Sequence, residues 1–307
     1  MEIIPYSQLE EKHQLLPLCY HAGHGPLDPR AFEERARLDF RLKQEPRGLC
    51  AVEGGHLLGF VGLLEIPTRT VDGPQVVGGI SNVVTHVNYV RRGICTVLME
   101  AAHQHFRERG FPFAFLTSYR SLVAYDLYRK LGYVEVDAVS RYPLAYSLVE
   151  RATAAPEESE GVYAPSQEGV AHLFSEFTAK ATGFVIRPAE YFSFVVWRKR
   201  IDPDLSVQVD GGYALVREWQ GTIMVSEMVA ADHEVQAKLL RALEARSGGM
   251  VIDPTVTTAG LAEGYAASNY RLYNGRYDIV MAKPLEADAS LEQAYGSDFY
   301  ISALEWF

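Results

Sequence analysis

The chain predicts a mixed α/β fold built twice over, and three observations predict it. Strand-like and helix-like periodicities alternate along both halves. Residues 151–168, RATAAPEESEGVYAPSQE, are rich in Ala, Pro, Glu and Ser and read as a linker. The order of elements before that stretch returns after it. With 307 residues, 48% hydrophobic and 22% charged, each half has apolar material for a core of its own.

In the first half, residues 28–43 read as a charged surface helix, DPRAFEERARLDFRLK. Residues 48–66 read as a hairpin turning at Gly54–Gly55. GPQVVGGISNVVTHV follows as a buried strand rich in β-branched residues. An amphipathic helix comes next, with Ile94, Val97, Leu98, Ala101, Ala102 and Phe106 on its apolar face and Gly110 as its stop. FAFLT, 113–117, is a short strand, 121–132 a helix ending at Gly132, and YVEV a further strand.

The second half repeats the plan. Residues 169–181 are helical, 213–230 form a hairpin around Gln220–Gly221, 234–246 are helical and GMVIDP is a strand. YRLYNGRYDIVMAKPL, 270–285, reads as a closing hairpin on Asn274–Gly275. The boundaries expected are therefore 1–150, a linker over 151–168, a second domain over 169–285, and a tail over 286–307 that ends in aromatic residues.

A net charge of −10 argues against a general nucleic-acid-binding role. Cys19, Cys50 and Cys95 are sparse and unpatterned, which fits a reducing compartment. The N-terminal residues do not read as a signal peptide, and no apolar run approaches the roughly 18 residues of a membrane span. The chain is thus expected to be cytoplasmic, without a membrane partner. His21 and His24, three residues apart, read as loop residues, and His103 and His105 lie on different helix faces, so no metal site is expected.

One stretch carries chemistry: VRRGICTVLM, residues 90–99. Arg91, Arg92 and Gly93 stand where the helix begins, although arginine is favoured at the opposite end. The first amides of a helix have no intrahelical acceptor and carry partial positive charge, so a phosphate placed there gains several hydrogen bonds. Gly93 lets the backbone approach closely, and the arginines add charge matched to phosphate oxygens.

The stretch resembles the acyl-CoA loop of the GNAT (Gcn5-related) N-acetyltransferase superfamily, Q/R-x-x-G-x-G/A. Here it runs Val90-Arg91-Arg92-Gly93-Ile94-Cys95, with Val90 in place of the first Gln/Arg and Cys95 in place of the last small residue. AYDLYRKLGYVEV resembles the family's closing segment, with Tyr128, Gly132 and Tyr133 at the matching places, and the strand SNVVTHV sits where the family splays two strands around pantetheine. The resemblance covers roughly residues 1–145. The tandem plan is closer still to the Eis-like branch, whose members carry a second, degenerate GNAT unit and use the chain terminus in catalysis. This chain stops before the sterol-carrier-like domain those proteins add.

The resemblance implies tandem GNAT-like folds, acetyl-CoA as a substrate bound by Val83, Val84, Thr85, Arg91, Arg92, Gly93, Ile94, Cys95 and Thr96, and no metal. It implies transfer of acetyl to a primary amine of a small molecule, such as an aminoglycoside or polyamine, or of a lysine-bearing substrate. Tyr128 would be the acid and the carboxylate of Phe307 the base, with Glu65 or water as substitutes for the base. A backbone amide between Val83 and Thr85 would hold the oxyanion. AADHEVQA, at the loop's place in the second half, has no glycine or arginine and carries Asp232 and Glu234, so that half is expected to be a scaffold. The alternatives are an inactive acyl-CoA-binding or regulatory protein, and an acyl or aminoacyl transferase using another donor. The sequence leaves homo-oligomerisation open.

Overall fold

The computed structural model describes residues 1–21, 27–136, 143–147, 161–247, 249–275 and 278–306. They form two compact units: Met1–Val136 with Asp278–Gly296, and Asp137–Tyr277 with Ser297–Trp306.

The first unit opens with β1 (Glu2–Pro5), α1 (Leu15–His21) and α2 (Pro29–Leu38). Strands β2 (Gly48–Glu53), β3 (His56–Thr70) and β4 (Gly73–Thr85) lead into α3 (Ile94–Glu108). Then come β5 (Phe113–Tyr119), α4 (Val123–Lys130) and β6 (Val134–Glu135). The second unit holds β7 (Leu144–Tyr146), α5 (Gln167–Phe177), β8 (Thr182–Gly183), α6 (Tyr191–Lys199) and β9 (Val207–Val209). It continues with β10 (Gly212–Trp219), β11 (Thr222–Ala230), α7 (His233–Arg246), β12 (Val251–Asp253), α8 (Ala259–Ala267) and β13 (Arg271–Tyr273). The chain returns to the first unit with β14 (Asp278–Pro284) and α9 (Leu291–Tyr295), and ends in the second with β15 (Phe299–Tyr300).

The first sheet runs β1-β2-β3-β4-β5-β14-β6 and the second β13-β7-β12-β11-β10-β9, while β15 pairs with β8 within the second unit. Each sheet therefore borrows a strand. β14 lies antiparallel between β5 and β6, and β7 lies antiparallel between β12 and β13. This corrects the hairpin expected at Asn274–Gly275. β13 pairs with β7 and β14 with β5 and β6, so the turn joins strands of two different sheets. Long-range pairing has overridden a local turn preference. It also moves 278–285 out of the contiguous second domain expected from the sequence.

The helix expected over 28–43 is divided. α2 ends at Leu38, and Phe40–Leu42 form a separate 3-10 turn after Asp39, whose buried carboxylate accepts from the Arg41 guanidinium at 2.8 and 2.9 Å. Val97, expected on the apolar face of α3, is exposed.

Two apolar layers cover the first sheet. One is built on Ile94, Leu98, Met99, Ala102 and Phe106 of α3. The other holds Tyr6, Leu15, Leu18 and Phe32 with Phe60 and Val84. Gly78 allows α3 to lie close against β4, since a Cβ there would come within 2.4 Å of the Phe106 ring. Among the described residues no helix is long and apolar enough to cross a membrane.

In the second unit the C-terminal segment is held by a buried charge cluster. Arg187 pairs with Glu227 at 2.6 Å and Glu305 at 2.9 Å, stacked 3.3 Å from the Phe174 ring. Arg198 and Lys199 donate to the Trp306 carbonyl. The tail is packed as far as Trp306; Phe307 lies outside the described residues.

Candidate active site

The site begins with a fault in β4. Phe60 faces Val84 and Gly62 faces Ser81, so one residue of β3 opposes two of β4, Asn82 and Val83. This is a β-bulge. Asn82 takes φ 49°, a left-handed conformation that asparagine tolerates better than the β-branched residues around it. The extra residue shifts the alternation, so Ile80 and Val83, three apart, both pack toward α3, while Val84 faces the other layer.

The bulge coincides with a parting of strands. β4 pairs with β5 only over Gly78–Ile80, against Ala114–Leu116, although β4 runs on to Thr85 and β5 to Tyr119. Beyond Ile80 the β5-facing backbone groups of β4 have no ladder partner in β5. Val83 and Thr85 are half-buried along this opening, and the Val84 side chain is committed to the core.

The opening leads to the start of α3. Gly93 is the N-cap residue, at φ 78°, and no side chain caps the helix. The amides of Ile94, Cys95 and Thr96 are therefore the exposed first turn. Ile94 is anchored in the core, which fixes the turn, and Cys95 and Thr96 are half-buried. Arg91 holds φ 63°, a conformation that costs roughly 1–2 kcal/mol in a residue with a Cβ. Such strain concentrates at functional turns. Arg91 and Arg92 are exposed. Arg92 lies 5.2 Å from the Tyr89 ring and 3.5 Å from Glu53, an exposed pair worth about 0–1 kcal/mol, so the guanidinium is readily recruited by a phosphate.

Tyr128 lies on α4, buried in the α3-side layer. Burial, and secondarily the nearby Cys95 thiol, push its pKa well above that of an ordinary phenol, so the hydroxyl stays protonated. Among the described residues that hydroxyl has no hydrogen-bond partner, and it remains a free donor. Burial also raises the Cys95 thiol to about 11, so Cys95 is a neutral wall of the site rather than a nucleophile.

Glu65, a candidate base, lies elsewhere. Its carboxylate is 2.8 Å from the Arg109 guanidinium, and Arg109 caps the C-terminal end of α3. The fifteen residues of α3 put that end about 22 Å from Gly93. Sequence reasoning missed Asn82, although an asparagine within a β-branched run is a legible signal for a bulge.

The second unit repeats the layout with its polar openings closed. α7 also connects an antiparallel-paired strand to a parallel one, β11 to β12. Its N-cap is Asp232, whose Oδ1 accepts from the Val235 amide at 2.9 Å. Tyr265 on α8 takes the place of Tyr128: five residues later Tyr270 donates its amide to the Tyr265 carbonyl at 3.0 Å, as Tyr133 does to Tyr128. The Tyr265 hydroxyl is spent on Asp253, at 2.8 Å.

Residues 4–136 match the acetyltransferase (GNAT) domain family. No curated relative matches the chain by sequence. Among solved structures, a GCN5-related N-acetyltransferase from Kribbella flavida is similar over 93% of this chain and 72% of that one, with a TM-score of 0.66 and 18% identity. A probable N-acyltransferase from Enterococcus faecalis V583 is similar over 95% and 74%, with a TM-score of 0.66 and 14% identity. Eis1 from Mycobacterium abscessus is similar over 85% and 73%, with a TM-score of 0.56 and 19% identity. The bulged strand, the splay and the uncapped helix all lie inside the residues that match the acetyltransferase (GNAT) domain family, and the chain as a whole has a tandem GNAT-like fold.

Proposed function

We propose that the protein is an acetyl-CoA-dependent N-acetyltransferase acting on a primary amine of a small molecule or of a lysine side chain. The uncapped start of α3 at the mouth of the β4/β5 opening carries this reading. The pyrophosphate of acetyl-CoA would take the amides of Ile94, Cys95 and Thr96, with Arg91 and Arg92 alongside. Pantetheine would run along Val83, Val84 and Thr85.

An alkylammonium has a pKa of roughly 10.4 and must lose a proton before it can attack. The free amine then adds to the thioester carbonyl, and the negative oxygen would be held by a β4 amide beyond Ile80, where β4 has no ladder partner in β5. Collapse breaks the C–S bond, and the Tyr128 hydroxyl donates a hydrogen bond or its proton to the leaving thiolate. The phenol's raised pKa suits it to remain the neutral donor at working pH. The carboxylate of Phe307 is the proposed base, by resemblance to Eis-like enzymes; the Arg109 pairing makes Glu65 the weaker candidate.

Calorimetry with acetyl-CoA, followed by thiol release over a panel of polyamines, aminoglycosides and lysine peptides, tests the reading. Binding and turnover of at least one amine are expected. Absence of acetyl-CoA binding would refute it, and binding without turnover would favour an acyl-CoA-binding protein. Deleting Phe307 should lower turnover and leave acetyl-CoA affinity unchanged; full activity would hand the base role to Glu65 or to water.

A further inference from the structure

Among the described residues the Tyr128 hydroxyl has no partner to aim it, so its direction depends on what holds the ring. The end of α4 supplies the first constraint. Gly132, at φ 90°, turns the chain, and the Tyr133 amide then donates to the Tyr128 carbonyl at 3.0 Å. This reversal brings the residue after the glycine back onto the last turn of the helix. The two rings meet edge to face, 5.9 Å apart at 61°.

Tyr133 is itself held from α3. Its hydroxyl is 2.8 Å from Nε2 of His103, and both residues are only 2% exposed. A buried hydroxyl and a buried imidazole each need a partner, and here each serves the other. Burial, with the Lys283 and Arg107 charges adding to it, lowers the His103 pKa to about 3, so the ring stays neutral. A third constraint comes from β14: Lys283 donates from its Nζ to the Leu131 carbonyl at the end of α4. Gly132 makes room for it, since a Cβ there would lie 3.0 Å from that nitrogen.

We infer that Tyr133 and His103 are positioning residues for Tyr128, with Lys283 fixing the helix end that carries it. The hydrogen bond across from α3 locks the Tyr133 ring, and that ring sets the rotamer of the tyrosine facing the leaving thiol. The inference rests on the reading of Tyr128 as the proton donor.

The test uses the full chain labelled with 13Cζ-tyrosine, the Tyr128 signal being assigned by its loss in Tyr128→Phe. The paired variant His103→Leu/Tyr133→Phe removes the hydrogen bond but leaves no buried polar group unpaired and keeps the ring contact. On titration with coenzyme A, the Tyr128 signal should shift in the wild type. In the paired variant that shift should fall by about half or more, while coenzyme A affinity stays within about threefold. Equal shifts in both proteins would overturn the inference. An unresponsive Tyr128 in the wild type would remove the proton-donor reading, and the inference with it. In turnover, the paired variant should lower kcat about tenfold at constant KM for acetyl-CoA, and add nothing in a Tyr128→Phe background. A full additional loss there would also overturn it.

Discussion

The helix starts of the two units differ by one residue type. α3 begins on Gly93, and among the described residues no side chain caps its first amides, whereas α7 begins on Asp232, whose carboxylate fills that position. The tyrosines differ likewise: among the described residues the Tyr128 hydroxyl has no partner, whereas Tyr265 has given its own to Asp253. In each case an aspartate of the second unit occupies what the first unit leaves open. A fold can therefore keep the backbone of a site and lose its chemistry by satisfying its own donors. The second unit satisfies its own donors where the first leaves them open.

The largest effect should come from breaking the tyrosine contrast. Tyr128→Phe should lower kcat by about a hundredfold, the lower end for loss of a general acid, with acetyl-CoA affinity kept. Tyr265→Phe should leave kcat alone and cost about 1–3 kcal/mol of stability by removing the bond to buried Asp253, read by denaturant unfolding. Equal kinetic effects would erase the distinction between the units.

Next is the helix start. Gly93→Asp would put a carboxylate at the start of α3; nothing lies within 4 Å of a new Cβ, although a side chain at φ 78° is strained. Acetyl-CoA binding by calorimetry should weaken more than about tenfold, as it should for Arg92→Glu, because both place a carboxylate against the diphosphate. Unchanged affinity in both would remove the cradle from α3.

A smaller effect sharpens the account of the first unit. The His103 pKa is about 3 in the folded chain and roughly 6.5 when unfolded. The unfolded state therefore binds a proton below about pH 6.5 that the folded state does not, so stability falls as pH drops from there toward the folded value. Its contribution to the slope is about 1.4 kcal/mol per pH unit. Replacing His103 by leucine together with Tyr133 by phenylalanine should flatten the unfolding free energy over pH 4–6.5 by about that slope. An unaltered slope would mean that His103 titrates normally. The smallest effect is expected for Asp232→Ala, about 1 kcal/mol by thermal unfolding, with no gain in acetyl-CoA binding.

Much of the candidate site is legible in the sequence because its features are local. Arginines and glycine before an apolar helix, and the spacing of Tyr128, Gly132 and Tyr133, are visible within a few residues. The same spacing recurs as Tyr265, Asn269 and Tyr270, hidden only because asparagine, here at φ 63°, stands where glycine would. Sheet membership was not legible. Whether β14 joins β5 or folds back on β13 depends on pairings more than a hundred residues apart, and the local Asn274–Gly275 signal points to the wrong partner. The Arg109 pairing that draws Glu65 away from the site is likewise invisible before the sheet and α3 are assembled.

The most direct measurement is a crystal structure with acetyl-CoA bound. One molecule per chain is expected, its diphosphate on the amides of Ile94, Cys95 and Thr96 and its sulfur facing the Tyr128 hydroxyl. A diphosphate bound at Asp232 in the second unit, or an empty α3 start at saturating acetyl-CoA, would contradict it.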